Sequence, residues 1–434
     1  EDLRNVRMQG SLADYDGDGD VEEGIDSELT GLKEILYAAI QEYGADVAGT
    51  PIVYDASSYP YFFDDAGERY GTWTPRLLKA AYNYQMATKD PGAFAHNAKY
   101  MVQLLYDSIA DLNEALGTVD MSTMHRQDPG HFAGNTEAFR HWDEDGEVQA
   151  SCAKCHSATG LPEFIHNGTN VANPISNGFM CTTCHNAAEW PALYVVDEVE
   201  FPSGAVLTFG EGEASNLCLE CHQGRSSTVT VDRAIGDKPG DTVDEELGFS
   251  NVHYFAAGAT LFRSEAQGAY QFAGQEYKGP NSEHPLNKCA DCHNVHSLEI
   301  NIEACAACHS GASDPQDPST YRMDATDYDG DGDVEEGIAA EIDSFAEALY
   351  VAMQAYAEGQ GTSIVYDSQS YPYFFDGEGN RFASWTPNLL RAAYNYQYYQ
   401  KDPGAYTHNP KYVLQALYDS IQAVGGDVSG FTRP

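Results

Sequence analysis

Basic residues are scarce in this 434-residue chain: 23 Lys and Arg stand against 67 Asp and Glu, a formal net charge of −44. A surface this acidic repels phosphate backbones and anionic lipid, so nucleic acid and membrane surfaces are disfavoured as partners. Divalent cations and cationic proteins suit it better. No apolar run approaches the roughly 18–20 residues that cross a bilayer, and no membrane span is expected. The opening EDLRNVRMQG has no basic region followed by an apolar stretch, and reads as a mature start from which any export signal has been removed. No cysteine is left unpaired in the pattern either, because the ten fall into five pairs of one form. With 12% aromatics and apolar residues at regular spacing, the composition is that of a folded protein and not a disordered acidic tail. The length suits two or three domains.

The five pairs are CAKCH (Cys152, Cys155, His156), CTTCH (Cys181, Cys184, His185), CLECH (Cys218, Cys221, His222), CADCH (Cys289, Cys292, His293) and CAACH (Cys305, Cys308, His309). C-x-x-C-H is the attachment signal of c-type haem. Two thiols three positions apart reach the two vinyl groups of one porphyrin, and the following His supplies an axial nitrogen. Rival readings exist for a single pair: half a zinc site, a redox dithiol, or a disulfide. Structural zinc usually takes two such pairs per ion, so five pairs fit it poorly, and none of the rivals requires His after every second cysteine. Five covalent haem c groups are therefore expected. Such thioethers are normally made outside the cytoplasmic membrane, which points to an exported protein, extracellular or at the cell surface, with the periplasm as the alternative.

Nine of the 14 histidines lie outside these motifs, enough to give each of five irons a second imidazole. Six-coordinate iron has no open position, which suits electron transfer and works against catalysis, so no catalytic residue is assigned. The expected distal ligands are those within the haem region: His131, His141, His253, His284 and His296. His296 sits three residues after His293, too close to reach back over the same ring, and is expected to serve a neighbouring haem. His125 and His166 are weaker candidates. His96 and His408 occupy matching places in DPGAFAHNAKY and DPGAYTHNPKY. They are either helix-entry residues, with Asn97 and Asn409 as caps, or reserve ligands for a haem of the same or an adjacent subunit.

Matching places arise because residues near 11–115 and 324–425 are an internal repeat with one single-residue gap. SYPYFFD, AAYNYQ and LYDSI occur in both copies. Each copy reads as mainly helical: Leu32, Ile35, Leu36, Ala39, Ile40 and Tyr43 recur at helical spacing, and Thr74 with Pro75 makes a helix start. Pro91-Gly92 ends that helix, and the aromatics Tyr59–Phe63 read as a packed loop. Three domains follow: a helical repeat at 11–115, a pentahaem core at 120–312 and a second helical repeat at 322–430. In the core, YVVDEVEFPSGAVLTF and AYQFAGQEY read as β-hairpins, and SGASDPQDPST as the linker to the second repeat. The expected fold is thus a multihaem cytochrome c core with little regular structure and short β-hairpins, flanked by two duplicated, mainly α-helical domains.

Each repeat carries the identical acidic segment DYDGDGDVEEGI. Asp14, Asp16 and Asp18 match positions 1, 3 and 5 of an EF-hand loop, Gly19 the sharp turn, and Asp20 the position that offers its carbonyl. Ile25 stands where the closing glutamate belongs, so Glu22 or Glu23 would have to close a shorter loop. The second copy repeats this with Asp327, Asp329, Asp331, Asp333 and Glu335 or Glu336. A solvated acidic turn before a helix would also be favoured by the helix dipole. Clustered carboxylates repel unless a cation lies among them, so two Ca2+ ions are expected as structural clips.

DPGHFAGNTEAFRHWDEDGEVQASCAKCHSATGLPEF, with GFMCTTCHN and NVHYFAAGATLF, resembles the multihaem c-type cytochromes of metal-reducing bacteria, most of all exported ones used for extracellular electron transfer. The resemblance covers most of the haem core. Some members of that wider class polymerise into filaments, some with axial His ligands donated across subunit interfaces. It implies electron conduction through closely spaced haems and permits a head-to-tail filament of copies passing electrons to other redox proteins or extracellular acceptors. The alternatives are a soluble periplasmic shuttle and a multihaem reductase, which would need one iron with an open site.

Overall fold

A computed structural model of the chain describes residues 3–7, 13–127, 137–279, 284–296, 298–322 and 324–434. It divides into two compact units, Glu1–Glu163 with Asn170–Thr183, and Phe164–Thr169 with Cys184–Pro434. The boundary falls inside the second C-x-x-C-H motif. The chain is largely helical with a few two-residue strand pairs.

In the first unit, α1 (Ile25–Asp46) packs against α2 (Pro75–Lys89) and α4 (Ala98–Leu116), with the single turn α3 (Ala93–His96) between the last two. The buried stripe of α1 is Leu29, Leu32, Leu36, Ala39, Ile40 and Tyr43, as its spacing requires. Each buried Leu or Ile contributes roughly 1.5–3 kcal/mol. The Thr74 side chain accepts the Leu77 N–H at 3.1 Å and caps α2, with Pro75 at its first position. Asn97 caps α4 by accepting from the Tyr100 N–H. The aromatic segment is more regular than expected: β1 (Val53–Tyr54) pairs antiparallel with β2 (Phe62–Phe63). The apolar core of this repeat runs from Ala13 to Met124.

Most of the haem motifs lie on short helices: Ala150–His156, Cys181–Cys184, α5 (Ser215–His222), Cys289–Cys292 and Ile302–Ala306, the last carrying only the first cysteine of its motif. One helical turn places residues i and i+3 on one face, which is what two thiols bound to one ring require. The expected hairpin around Pro202-Ser203-Gly204 is present, with Val199–Glu200 paired to Val206–Leu207.

The second expected hairpin, AYQFAGQEY, is not formed as strands. Its backbone groups bond instead to side chains of the C-terminal repeat. That repeat comprises α7 (Ile338–Gly359), the strand pair Val365–Tyr366 with Phe374–Phe375, α8 (Pro387–Gln400), the turn α9 (Ala405–His408) and α10 (Pro410–Ala423). Residues 251–278, which include α6 (Ala257–Phe262), lie across α8 to α10. Asn395 accepts the Tyr270 N–H at 2.6 Å and donates to the Tyr270 carbonyl at 3.0 Å. Gln397 accepts from the Val252 N–H, Gln415 from the Lys278 N–H, and the Tyr394 hydroxyl donates to the Gly268 carbonyl. Asn409 donates to the Thr260 carbonyl, and Asp402 accepts from the Thr260 hydroxyl at 2.7 Å. One apolar core therefore joins residues of 196–270 to the C-terminal helices.

Candidate haem sites and acidic loops

Four of the five motif histidines have Nδ1 against a backbone carbonyl: His156 on Ala138 (2.9 Å), His185 on Pro191 (2.6 Å), His222 on Phe255 (2.7 Å) and His293 on Leu298 (3.3 Å). A carbonyl only accepts, so Nδ1 carries the proton and Nε2 is left with its lone pair for a metal. The ring of His309 stacks instead on Tyr321, centroids 4.2 Å apart and planes 3° apart, while the Tyr321 hydroxyl donates to the Pro315 carbonyl at 2.7 Å. The donor set and tautomers fit haem c.

Two spare histidines oppose motif histidines. The rings of His185 and His296 are parallel within 3° with centroids 6.3 Å apart, and those of His309 and His284 within 17° at 6.4 Å. Imidazoles in direct stacking contact lie closer. Two imidazoles bound to one ion through metal–nitrogen bonds of about 2 Å have ring centres about 6.4 Å apart. His296 thus faces the second motif and not its own, and His284 faces the fifth.

A third association joins His408 to the third motif. The turn α9 packs on α6, and α6 packs on α5. His222 is half-buried, and desolvation first, with His408 nearby, lowers its basicity. His408 Nδ1 donates to Asp402 at 3.0 Å, so its Nε2 remains for a metal. The ring of Trp142 contacts both His141 (4.8 Å) and His156 (5.3 Å), and His141 Nδ1 bonds Glu137. His253 lies against Tyr254 at 5.2 Å, and His166 is exposed at the end of Gly160–Asn167. His125 Nδ1 donates to the Asp14 carbonyl at 2.8 Å, fastening the first acidic loop. His131 lies outside the described residues.

The two acidic loops have one construction. Asp14 accepts from the Gly17 and Gly19 N–H groups, as Asp327 does from Gly330 and Gly332. The carboxylates that converge are Asp16, Asp18 and Glu23 in the first loop, and Asp329, Asp331 and Glu336 in the second. Of the two closing candidates in each loop, Glu23 and Glu336 reach the cluster, whereas Glu22 and Glu335 are in neither group; nor are Asp20 and Asp333 by their side chains. Asp14 and Asp327 cluster with Asp16 and Asp329 around Glu28 and Glu341. One oxygen of Glu23 and one of Glu336 is buried without a hydrogen-bond partner. Burial, then the neighbouring carboxylates, raises both to about 7, and Asp16 to about 6. Unpaired buried carboxylate oxygens aimed into an acidic cluster fit a hard cation.

Sequence reasoning missed what holds these loops. Glu28, fully buried, accepts the Tyr15 and Asp16 N–H groups and pairs with Arg7 at 3.0 Å. Glu341 does the same with Tyr328, Asp329 and Arg322, the last at 2.6 Å. Arg-Met upstream of both loops and a glutamate in the first turn of both helices were the available signal.

Five repeats of one attachment motif, with proton positions suited to axial ligation, define the class as multihaem c-type cytochromes. The chain is homologous to two of them: it is 25% identical over 369 aligned residues to the C-type polyheme cytochrome OmcB of Geobacter sulfurreducens, covering 66% of this chain and 45% of the relative. It is 23% identical over 451 aligned residues to OmcC of the same organism, covering 83% of this chain and 53% of the relative. The chain thus spans about half the length of the curated relatives it matches. No family model and no solved structure matches it. No helix among the described residues is long and apolar enough to cross a membrane.

Proposed function

We propose that the protein is an exported pentahaem c-type cytochrome that conducts electrons at the cell exterior through closely spaced, bis-histidyl haems. The observation that carries this reading is the pair of opposed imidazoles, His185 with His296 and His309 with His284, each joining a motif histidine to a spare one at the separation of two axial ligands. His408 is assigned to the third haem beside His222, a role the reading of the sequence kept in reserve. Haem c supplies reversible one-electron chemistry between the two iron oxidation states. Two thiols per motif would hold each ring, a carbonyl fixes the tautomer of four of the five motif histidines, and His296, His408 and His284 would be the second ligands at the second, third and fifth motifs. The Cys289 thiol lies 3.9 Å from the Ser215 carbonyl on the helix that carries the third motif, which supports close approach of the third and fourth haems.

Ca2+ held by Asp14, Asp16, Asp18 and Glu23, and by Asp327, Asp329, Asp331 and Glu336, is proposed as a structural clip in each repeat. The chain carries two repeats that are alike in sequence and unlike in surface, which supports heterologous contacts between copies and hence a head-to-tail filament. Native mass spectrometry should find five haems per chain, and the reduced protein should bind no carbon monoxide. His408→Ala should open one iron to it. A bare polypeptide, or full carbon monoxide binding by the unaltered protein, overturns the reading. Electron microscopy of native material showing monomers alone removes the filament and leaves a shuttle.

A further inference from the structure

The two repeats share a receiving face, and only one is covered. In the C-terminal repeat Leu390, Tyr394 and Tyr412 are fully buried, and the two tyrosine hydroxyls donate to the Gly268 and Ala269 carbonyls. Their counterparts in the N-terminal repeat, Leu78, Tyr82 and Tyr100, are 53%, 67% and 46% exposed. Six side chains of α8 to α10 that bind the backbone of 251–278 recur there: Tyr82, Asn83, Gln85, Asn97, Tyr100 and Gln103 stand where Tyr394, Asn395, Gln397, Asn409, Tyr412 and Gln415 stand. Asn97 caps α4 and Asn83 bonds Ser108 within the repeat, whereas Tyr82 and Tyr100 stand exposed beside Leu78 with the same hydroxyls that bind backbone in the other copy.

The axial histidine is prepared as well. His96 Nδ1 donates to Asp90 at 2.9 Å, as His408 does to Asp402 at 3.0 Å. The carboxylate fixes the proton on Nδ1 and leaves Nε2 for a metal. The His408 side chain is 19% exposed and lies by the third motif, whereas that of His96 is 70% exposed. Gln85 Nε2 is buried without a partner, as Gln397 Nε2 is, while Gln397 Oε1 accepts from Val252.

The number of faces decides the occupant. Each chain has two receiving faces and, among the described residues, one segment that fills one of them. A second copy brings only a segment already held by its own repeat, which as a tethered neighbour competes at high effective concentration. We propose that the N-terminal repeat receives a further c-type haem segment, built like Ser215–Lys278 but not among these 434 residues, and that His96 supplies the distal ligand to its iron. The ligand role rests on the bis-histidyl reading above; the docking of backbone onto Asn83, Gln85 and Gln103 does not. If copies join in a filament, they join through another surface.

The test uses the full chain and, as probe, the segment Ser215–Lys278 matured separately with its single haem. The unaltered chain should bind one equivalent and convert the probe from high-spin to low-spin. His96→Ala should leave the probe high-spin and bind it more weakly, because the iron–nitrogen bond is lost, while the haem-free segment binds both chains alike. Asn83→Ala with Tyr100→Ala should weaken binding at least about tenfold. No binding, or binding indifferent to Asn83 and Tyr100, overturns the docking. Low-spin conversion that survives His96→Ala overturns the ligand assignment. Self-association of the chain alone that is abolished by the Asn83 and Tyr100 changes would make the occupant a second copy, against the proposal. Absence of haem from the native chain would sink the electron-transfer reading while leaving backbone docking measurable with the haem-free segment.

Discussion

The N-terminal repeat closes its core with its own helices, whereas the C-terminal repeat shares one with residues of 196–270. Near-identical side chains are consequently surface groups in one copy and core groups in the other. Asn83 donates to the Ser108 hydroxyl at 2.9 Å and remains half-buried; Asn395 holds both backbone groups of Tyr270 and is buried. The difference shows that burial here is set by what lies opposite and not by the residue itself.

The sharpest way to break that comparison is to truncate the asparagine in each copy. Asn395→Ala leaves the Tyr270 N–H and carbonyl buried without partners and removes a bond to Ser420, a loss of about 3 kcal/mol. Asn83→Ala removes one partly exposed bond and should cost less than about 1 kcal/mol. Denaturant midpoints of the two variants measure both. Equal losses would mean that the N-terminal face is already covered as the C-terminal one is.

The acidic loops test the opposite expectation, that the copies behave alike. Calorimetry should detect two Ca2+ ions, with Glu23→Gln and Glu336→Gln each removing one. Saturating Ca2+ at 100 times its dissociation constant stabilises a folded protein by about 2.7 kcal/mol per site. Without the cation, Glu23 and Glu336 titrate near 7 in the folded chain against an ordinary 4.5. A carboxyl group raised on folding favours the folded state below its unfolded pKa, and that advantage is lost as pH rises through the folded value. The chelated protein should therefore weaken between pH 4.5 and 7, and Ca2+ should abolish the trend. A response from one loop alone would show that the identical segments differ in setting.

Much of this was legible in the sequence because it is local. Five C-x-x-C-H motifs, the Thr74 and Asn97 caps, the α1 stripe and the acidic loops each lie within a few residues of one another. That His296 turns from its own motif toward His185 agrees with the impossibility of folding back over three residues. What stayed hidden needs distant partners. AYQFAGQEY alternates like a hairpin, yet Asn395 and Tyr412, more than a hundred residues later, take its backbone groups. Arg7 and Glu28 are 21 residues apart and look like ordinary surface charges until the loop closes over them. Nothing local separates His408 from His96, since both follow the same Asp-Pro-Gly turn.

Lys401 gives the finest discrimination between the copies. Its ammonium group is buried, 3.6 Å from the Tyr373 ring centre and 4.0 Å from that of Tyr254, and donates to Asn251 at 2.7 Å. Burial lowers its pKa to about 7 from an ordinary 10.5. The unfolded chain therefore binds a proton across pH 7–10.5 that the folded chain gives up, so stability from this group is complete above 10.5 and is lost as pH falls through 7. The rise is at most about 1.4 kcal/mol per pH unit within that window. Lys401→Met should flatten the rise in denaturant midpoint between pH 7 and 9. Lys89, its counterpart, is exposed over the Tyr61 ring, and Lys89→Met should leave the profile unchanged. Flattening by both substitutions would mean that the two faces are equally enclosed, and flattening by neither would mean that Lys401 stays charged because water reaches it beneath residues 251–278.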